Sequence, residues 1–542
     1  MPNSKEQQAF VKAEIKKFWR EGEYNVWFST LSIGGILLMA LTLLVVVVIN
    51  GLGALWPADL VQVKTEDGRT YLGELKQTGV HPLTKEARFQ LKIGNRDLYP
   101  LDFKWIESKH VTETQHPEEA IALEREEYGN FYGYLKRVQS PALTREDGGL
   151  EALRMPAANA REKLESLNDE IKSLSQEMQS VRLDIQAIKY HHPDEPERPE
   201  LIELGKKVRA LRFEFDKLVH AQGVEQSAAL MHVAVFEDVE GKTREIPMIY
   251  IHRYYYPNQM NWAQKTLHYL AKILELFIAE PRESNTEGGL YPAIVGTVML
   301  VMIMSMFSFP LGVIAAVYLR EYARKGVMVQ AIRVAVNNLA GIPSIVWGIF
   351  GLAFFIYAVG GGIDAVFFPE RSPNPTFGTG GVLWASATLG LLTVPVVIVA
   401  TEEALGSVPG EIRHGSLALG ATQFQTLMRV ILPMASPRIM TGFILAMSRA
   451  AGEVAPLMIT GVVKLAPSLP IDTDFPFVHL ERKFMHLGFH IYDVGFQSPN
   501  VEAAKPMVFV TTLLLLGVVV TLTSASIFLR NRMKKRFAGR TF

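Results

Sequence analysis

An uncharged run from Val26 to Ile49, preceded by Lys5, Lys12, Lys16, Lys17 and Arg20, most narrows the folds open to this chain. A signal-peptide core holds only about 7 to 15 apolar residues, so the longer run predicts a retained transmembrane helix. The basic flank then puts segment 1–25 in the cytoplasm. Five more apolar runs follow, at about 293–319, 332–359, 382–400, 440–463 and 507–529. If each crosses once, Arg320, Arg324, Lys325 and Arg333 share a side with Arg413 and Arg429, and with the tail Arg530, Arg532, Lys534, Lys535 and Arg536. Every basic cluster then faces the cytoplasm. The expected class is an α-helical polytopic membrane protein with six transmembrane helices, the core lying within 283–536, and both termini, including residues 537–542, cytoplasmic.

Composition agrees once it is divided by block. A hydrophobic content of 49% stands beside 55 Lys+Arg and 55 Asp+Glu, so apolar and charged residues are segregated into membrane and aqueous parts. With Cys 0 there is no disulfide framework, thiolate metal site or cysteine nucleophile. No stretch of 50–282 could span a bilayer, which predicts one periplasmic α+β domain. Val61 and Val63, then Phe89, Leu91 and Ile93, alternate as strands do, with a turn signal at Asp67-Gly68. Val233, Val235, Ile246, Met248 and Tyr250 flank a second turn at Glu240-Gly241. Between them Leu164, Leu167, Ile171, Leu174, Met178, Val181, Ile185 and Ile188 keep a narrow helical seam, and Leu201, Leu204, Val208, Leu211, Phe215 and Leu218 repeat it. Two such arms predict a coiled-coil hairpin at about 160–221, roughly 35 Å long, either a spacer or a docking arm. Trp262, Leu267, Leu270, Ile273, Leu274 and Phe277 predict an amphipathic helix, at the membrane interface or packed on the domain.

Apart from Arg333 at the very edge of the third, the apolar runs contain two charges, Arg449 and Glu453, both in the fifth. A lone charge at mid-bilayer costs about 2.5 to 3.5 kcal/mol on insertion scales, so two in one helix require a reason. Four residues apart, they share a helical face and can neutralise one another. They read either as a pair that fixes packing or as an anion-handling arginine held by its carboxylate. Pro310, Pro343, Pro395 and Pro456 lie within or near the ends of four runs, where freed carbonyls fit a water-lined pathway.

Between the fourth and fifth runs, at about 403–436, Ile412–Leu419 reads as helix, Gly420 as a break, and Phe424–Ile431 as helix before Leu432-Pro433. This stretch resembles the coupling loop of the membrane permease subunits of ABC importers, whose pattern is E-A-A, three residues, Gly, nine residues, I-x-L-P. The resemblance is closest to phosphate-specific permeases of the PstA type. It rests on Asn338-Leu339-Ala340-Gly341-Ile342-Pro343-Ser344-Ile345-Val346-Trp347-Gly348, on Arg449-Ala450-Ala451-Gly452-Glu453-Val454-Ala455-Pro456-Leu457, and on Gly296-Thr297 opening the second span. It covers about Gly288 to Lys535. His414-Gly415-Ser416 stands where the family has E-A-A, so Glu411, Arg413 and His414, with Gly420, Leu432 and Pro433, are the expected ATPase-coupling residues.

The resemblance implies a subunit of the bacterial inner membrane that imports inorganic phosphate, with Arg449 and Glu453 on the substrate pathway. It implies a second permease (PstC type), an ATPase dimer (PstB type) and a periplasmic phosphate-binding protein (PstS type) as partners, besides membrane lipid. ATP would be used by the partner ATPase, because the chain has no G-x-x-x-x-G-K-[ST] loop; Gly241-Lys242-Thr243 carries Phe236 at the first glycine position. No cofactor, metal site, catalytic residue or nucleic-acid partner is expected, and His191-His192 reads as a solvated turn. Two rival readings are a permease for sulfate or molybdate and an envelope scaffold acting through its coiled-coil arm.

Overall fold

The computed structural model describes Trp19 and residues 22–538, except Pro100, Ala142, residues 146–148, Pro196, Glu197, Lys325 and Asp474. The expected cytoplasmic segment 1–25 and tail 537–542 thus lie mostly outside the described residues. Helix α1, Glu23–Gly53, has no charge after its first residue and is exposed along nearly its whole length, as a lipid-facing helix is.

Two antiparallel sheets follow. Strands β1 (Leu60–Thr65), β2 (Thr70–Val80), β3 (Ala87–Lys92), β4 (Phe103–Glu107) and β5 (Val111–Gln115) form the first, in the order β4-β3-β2-β1-β5. Val63, Leu91 and Ile106 make its core, and Gly68, at φ 79°, closes the expected turn between β1 and β2. The second sheet begins with β6 (Ile121–Arg125), β7 (Phe131–Ser140) and β8 (Leu143–Arg145). The chain then leaves it for a two-helix hairpin, α2 (Leu150–His191) and α3 (Pro199–Leu230), and returns as β9 (Val233–Glu237), β10 (Thr243–Pro247) and β11 (Ile251–Tyr255).

The hairpin packs along the seam marked by its Leu and Ile spacing, with Met178, Val181 and Leu201 buried. Its first helix is longer than the 160–221 expectation: its 42 residues extend about 60 Å. The added base does different work. Leu150, Leu153 and Ala157 join Ile121, Phe131 and Phe236 in the β core, while Arg161 donates to the carbonyls of Ile249 and Ile251 at 2.7 and 2.6 Å. Farther out the hairpin returns to the membrane part, where Gln186 Nε2 donates to the Ser372 carbonyl at 3.3 Å.

Helix α4 (Trp262–Ile278), opened by an Asn261–Gln264 capping box, leads into the membrane part. There the helices are α5 (Tyr291–Tyr322), α6 (Val327–Leu339), α7 (Ser344–Phe367), α8 (Val382–Gly406), α9 (Gly410–Ala418), α10 (Gln423–Ala450), α11 (Leu457–Thr460), α12 (Leu487–Tyr492) and α13 (Val501–Ala538). With α1, the helices α5, α7, α8, α10 and α13 make six long and apolar enough to cross a membrane among the described residues.

Two spans differ from the hydropathy reading. The expected 332–359 is split: α6 is a separate helix carrying Arg333, and the spanning helix starts at Ser344 behind Pro343. Proline disfavours helical geometry in the residue before it, so Ile342-Pro343 ends one helix and opens the next. The expected 440–463 is displaced. Pro433 does not stop the preceding helix; the turn Leu427–Ile431 widens to π geometry, which accommodates the missing N–H, and α10 runs on to Ala450. It ends there, and Ala451–Pro456 is a turn.

Candidate functional site

Arg449 is the next-to-last residue of α10, and Glu453 lies in the turn beyond it. The two are not on one continuous helix, as their spacing implied, yet they meet: Arg449 Nε donates to Glu453 Oε1 at 3.5 Å. That is the long limit of a hydrogen bond. The Arg449 side chain is 47% exposed and that of Glu453 21%, so the guanidinium opens away from the chain's own core. Among the described residues its two Nη groups donate to no protein acceptor. A guanidinium held through Nε presents a planar pair of N–H donors, the geometry that suits a tetrahedral oxyanion.

Depth follows from the antiparallel packing of α8 and α10. Ala404 and Leu405 of α8 cluster with Ala435 and Ile439 of α10, and an added Cβ on Gly442 would lie 2.2 Å from Ala400 Cβ. Met447, Ala450 and Ala451 meet Ala385 and Leu389. Arg449 is therefore about 10 Å further along α10 than the Gly442–Ala400 contact, level with the middle of α8. The helix break and its charged pair sit near mid-span, where irregular backbone is tolerated if it lines a cavity or is covered by protein.

Two of the three signature stretches meet at this break, and the third packs on the segment at 484–487. Gly348 of α7 is pressed against Pro456, at the end of the turn. Gly296 lies one turn inside α5, which starts at Tyr291 rather than at this glycine, and an added Cβ there would be 2.0 Å from the Met485 carbonyl oxygen. Beside it Thr297 Oγ1 accepts from the Leu487 N–H at 2.9 Å.

The loop between α8 and α10 is a short helix, a turn and a second helix, as expected, but the second helix is the start of α10 itself. Gly420 takes φ 86° and makes the turn that a residue with a Cβ rarely adopts. Thr422 and Gln425 cap the new helix reciprocally. Leu432 and Pro433 lie within α10 and are half-buried. Glu411 and His414 face outward with Leu417, Leu419 and Phe424, Leu419 being 90% exposed. Arg413 does not. Its Nη2 donates to Glu321 Oε1 at 2.8 Å at the end of α5, where Gln423 Nε2 also donates to the Glu321 carbonyl at 2.7 Å. Sequence reasoning missed Glu321; only a charge in the π turn that ends α5 marked it. Arg333, likewise, reaches Glu402 at 3.3 Å and the Leu319 carbonyl at 3.0 Å, tying α6 to α8 and α5.

A family described as the binding-protein-dependent transport system inner membrane component matches residues 308–535, which leaves the sheets and hairpin outside the match. The chain is 32% identical over 223 residues to the probable ABC transporter permease protein YqgI of Bacillus subtilis, across 40% of this chain and 70% of that protein. It is 36% identical over 185 residues to the phosphate transport system permease protein PstA 1 of Mycobacterium tuberculosis, across 34% of this chain and 54% of that one. Among solved structures, the inward-facing MetNI methionine ABC transporter is 19% identical with a TM-score of 0.33, across 45% of this chain and 95% of that chain.

Proposed function

This chain belongs to the family of ABC importer membrane permeases, and from that membership we propose that it is the subunit of an ATP-driven importer that passes inorganic phosphate into the cytoplasm. The observation that carries the reading is the mid-span break after Ala450, with Arg449 opening from it and Glu453 restraining its Nε. Phosphate offers oxygens spaced for a guanidinium fork. The loose 3.5 Å contact leaves the arginine free to trade its carboxylate for the substrate. Similarity to PstA permeases favours phosphate over sulfate or molybdate.

In this reading the exposed side of Arg449 is covered by a second permease of the PstC type, which completes the pathway. A PstS-type protein delivers phosphate from the periplasm, where the sheets and the coiled-coil hairpin also reside, and both termini are cytoplasmic. A PstB-type ATPase dimer uses ATP and grips the loop through Glu411, His414 and the apolar Leu417, Leu419 and Phe424. Arg413 acts inside the chain, linking that loop to α5 through Glu321, so that movement of the loop is carried into the spans. The test is Arg449→Gln in the assembled complex. Two lost charge-assisted hydrogen bonds should lower uptake roughly 100-fold or more with assembly intact, and normal uptake would sink the assignment.

A further inference from the structure

A cavity of about 460 Å³ lies where the first sheet meets the membrane part, between β2 and β3, α4, and the facing ends of α1 and α13. One wall is apolar, with Ile49, Leu55, Met507 and Val510. The rest is charged and balanced, with five carboxylates and five cationic side chains. Most of these pair closely: Lys272 with Glu124 at 2.6 Å and Arg282 Nη2 with Glu275 at 2.8 Å. Two donors have capacity to spare. Arg282 Nε is buried and makes no hydrogen bond, and Lys92 Nζ stands 3.8 Å from Glu287, beyond hydrogen-bond reach. Burial pushes the Glu287 carboxyl up, against the opposing pull of Lys92, Lys272 and Arg282.

The depth of the cavity follows from α4. Trp262, Leu267, Leu270, Leu274 and Ile278 are exposed along one side of this helix, while Lys272, Glu275 and Leu276 on the other line the cavity. The helix joins α5 within a dozen residues, and an exposed apolar side of this kind is suited to lie on the bilayer. Trp56, just past α1, packs on Tyr269 of α4 with ring centroids 5.6 Å apart, an aromatic pair of the kind found at a membrane interface. A helix about 10 Å across that lies on the bilayer by its apolar side holds its polar side at headgroup depth.

We propose that this junction holds a phospholipid with a zwitterionic headgroup, its phosphate on Lys92 and Arg282, its ammonium toward Glu287, and an acyl chain along Ile49 and Met507. The balanced lining disfavours a headgroup with net charge, and the apolar wall distinguishes a lipid from a free anion. Such a lipid would cement the outer sheets to α1 and α13. The site is separate from the transport pathway and independent of the substrate assigned to it.

The test is native mass spectrometry of the purified full-length chain in mild detergent with added phosphatidylethanolamine. One phospholipid should remain bound, about tenfold less in Lys92→Gln and to the wild-type extent in Lys92→Arg. Gly53→Trp, at a cavity position where an added Cβ meets no atom within 4 Å, should exclude the lipid by filling the groove. Because the Cβ itself meets nothing, this variant keeps the test decisive if Lys92→Gln fails to fold. Wild-type retention by either Lys92→Gln or Gly53→Trp would overturn the proposal. So would displacement of the lipid by inorganic phosphate, which would mark an anion site instead.

Discussion

Gly348 and Pro456 touch so closely that a Cβ added to the glycine would stand 2.8 Å from the proline Cα and 3.2 Å from its carbonyl oxygen. One belongs to the start of α7 behind the Pro343 break, the other to the turn that follows α10. Two interruptions more than a hundred residues apart thus lock onto each other beside the Arg449–Glu453 pair. The contact explains why the chain keeps glycine here: the backbone of the turn occupies the space of a side chain, and backbone cannot step aside as a rotamer can.

Gly348→Ala should therefore lower stability by about 1 to 3 kcal/mol through overpacking. The measurement is thermal unfolding of the purified protein in detergent, where the midpoint should fall by a few degrees. An unchanged midpoint would mean that α7 and the turn can separate at little cost.

The Arg413–Glu321 pair makes a prediction about coupling rather than fold. The two side chains are 27% and 9% exposed, and breaking one member leaves the other charge poorly solvated. Glu321→Ala and Arg413→Ala should each depress uptake more than ATP hydrolysis by the partner. The exchange Arg413→Glu with Glu321→Arg should restore part of the loss. If the exchange is no better than either single change, the pair does not transmit the loop's movement.

Two carboxyls in the outer part set an acid limit on its stability. Burial pushes the Glu74 carboxyl up, but Lys76, Lys92 and hydrogen bonds from Lys76 and Tyr132 outweigh it and hold it down to about 2. Burial likewise opposes the ionised Glu275, which His252, Arg282 and Arg253 hold down to about 2. Because both values are depressed on folding, their contribution is complete above about pH 4.5 and is lost as pH falls toward 2. Thermal stability of the full chain should hold from neutrality to about pH 4.5 and then fall. Glu74→Gln should lower the plateau and flatten that fall; a fall of undiminished steepness in this variant would remove Glu74 from the account.

The helices were legible where one physical rule acted alone. Apolar runs located all six spanning helices, and seam spacing located the hairpin. Boundaries failed where a second rule intervened. Hydropathy carried the third span back to residue 332 because Ala340-Gly341-Ile342-Pro343 is uncharged, although its proline divides two helices. It carried the fifth span past Ala450 because the turn 451–456 is mostly apolar. Pro433 misled in the opposite sense, reading as a stop where a π turn lets the helix continue. At the site, Arg449 and Glu453 stood out by charge. Their loose contact across a helix end, and the diversion of Arg413 to Glu321, depend on tertiary packing that spacing does not encode.

The hairpin offers the sharpest separation of fold from transport. Removing 151–222, which reaches beyond the seam at about 160–221, would take away Leu153, which is 1% exposed, and Ala157, both in the β core. It would also cut Arg161 from the Ile249 and Ile251 carbonyls. Loss of a fully buried leucine costs about 2 to 5 kcal/mol, so that deletion should unfold the outer sheets whatever the hairpin does. Lys163 and Glu225 pair across the base of the two helices, and a short glycine linker joining them would excise 164–224 with the core intact. The shorter deletion should fold, lose the Gln186–Ser372 contact, and keep at least about half of the wild-type uptake, because no residue proposed for the pathway or the coupling loop is touched. Uptake near zero in a folded, assembled 164–224 deletion would show instead that the hairpin acts in transport through the turn at 369–372.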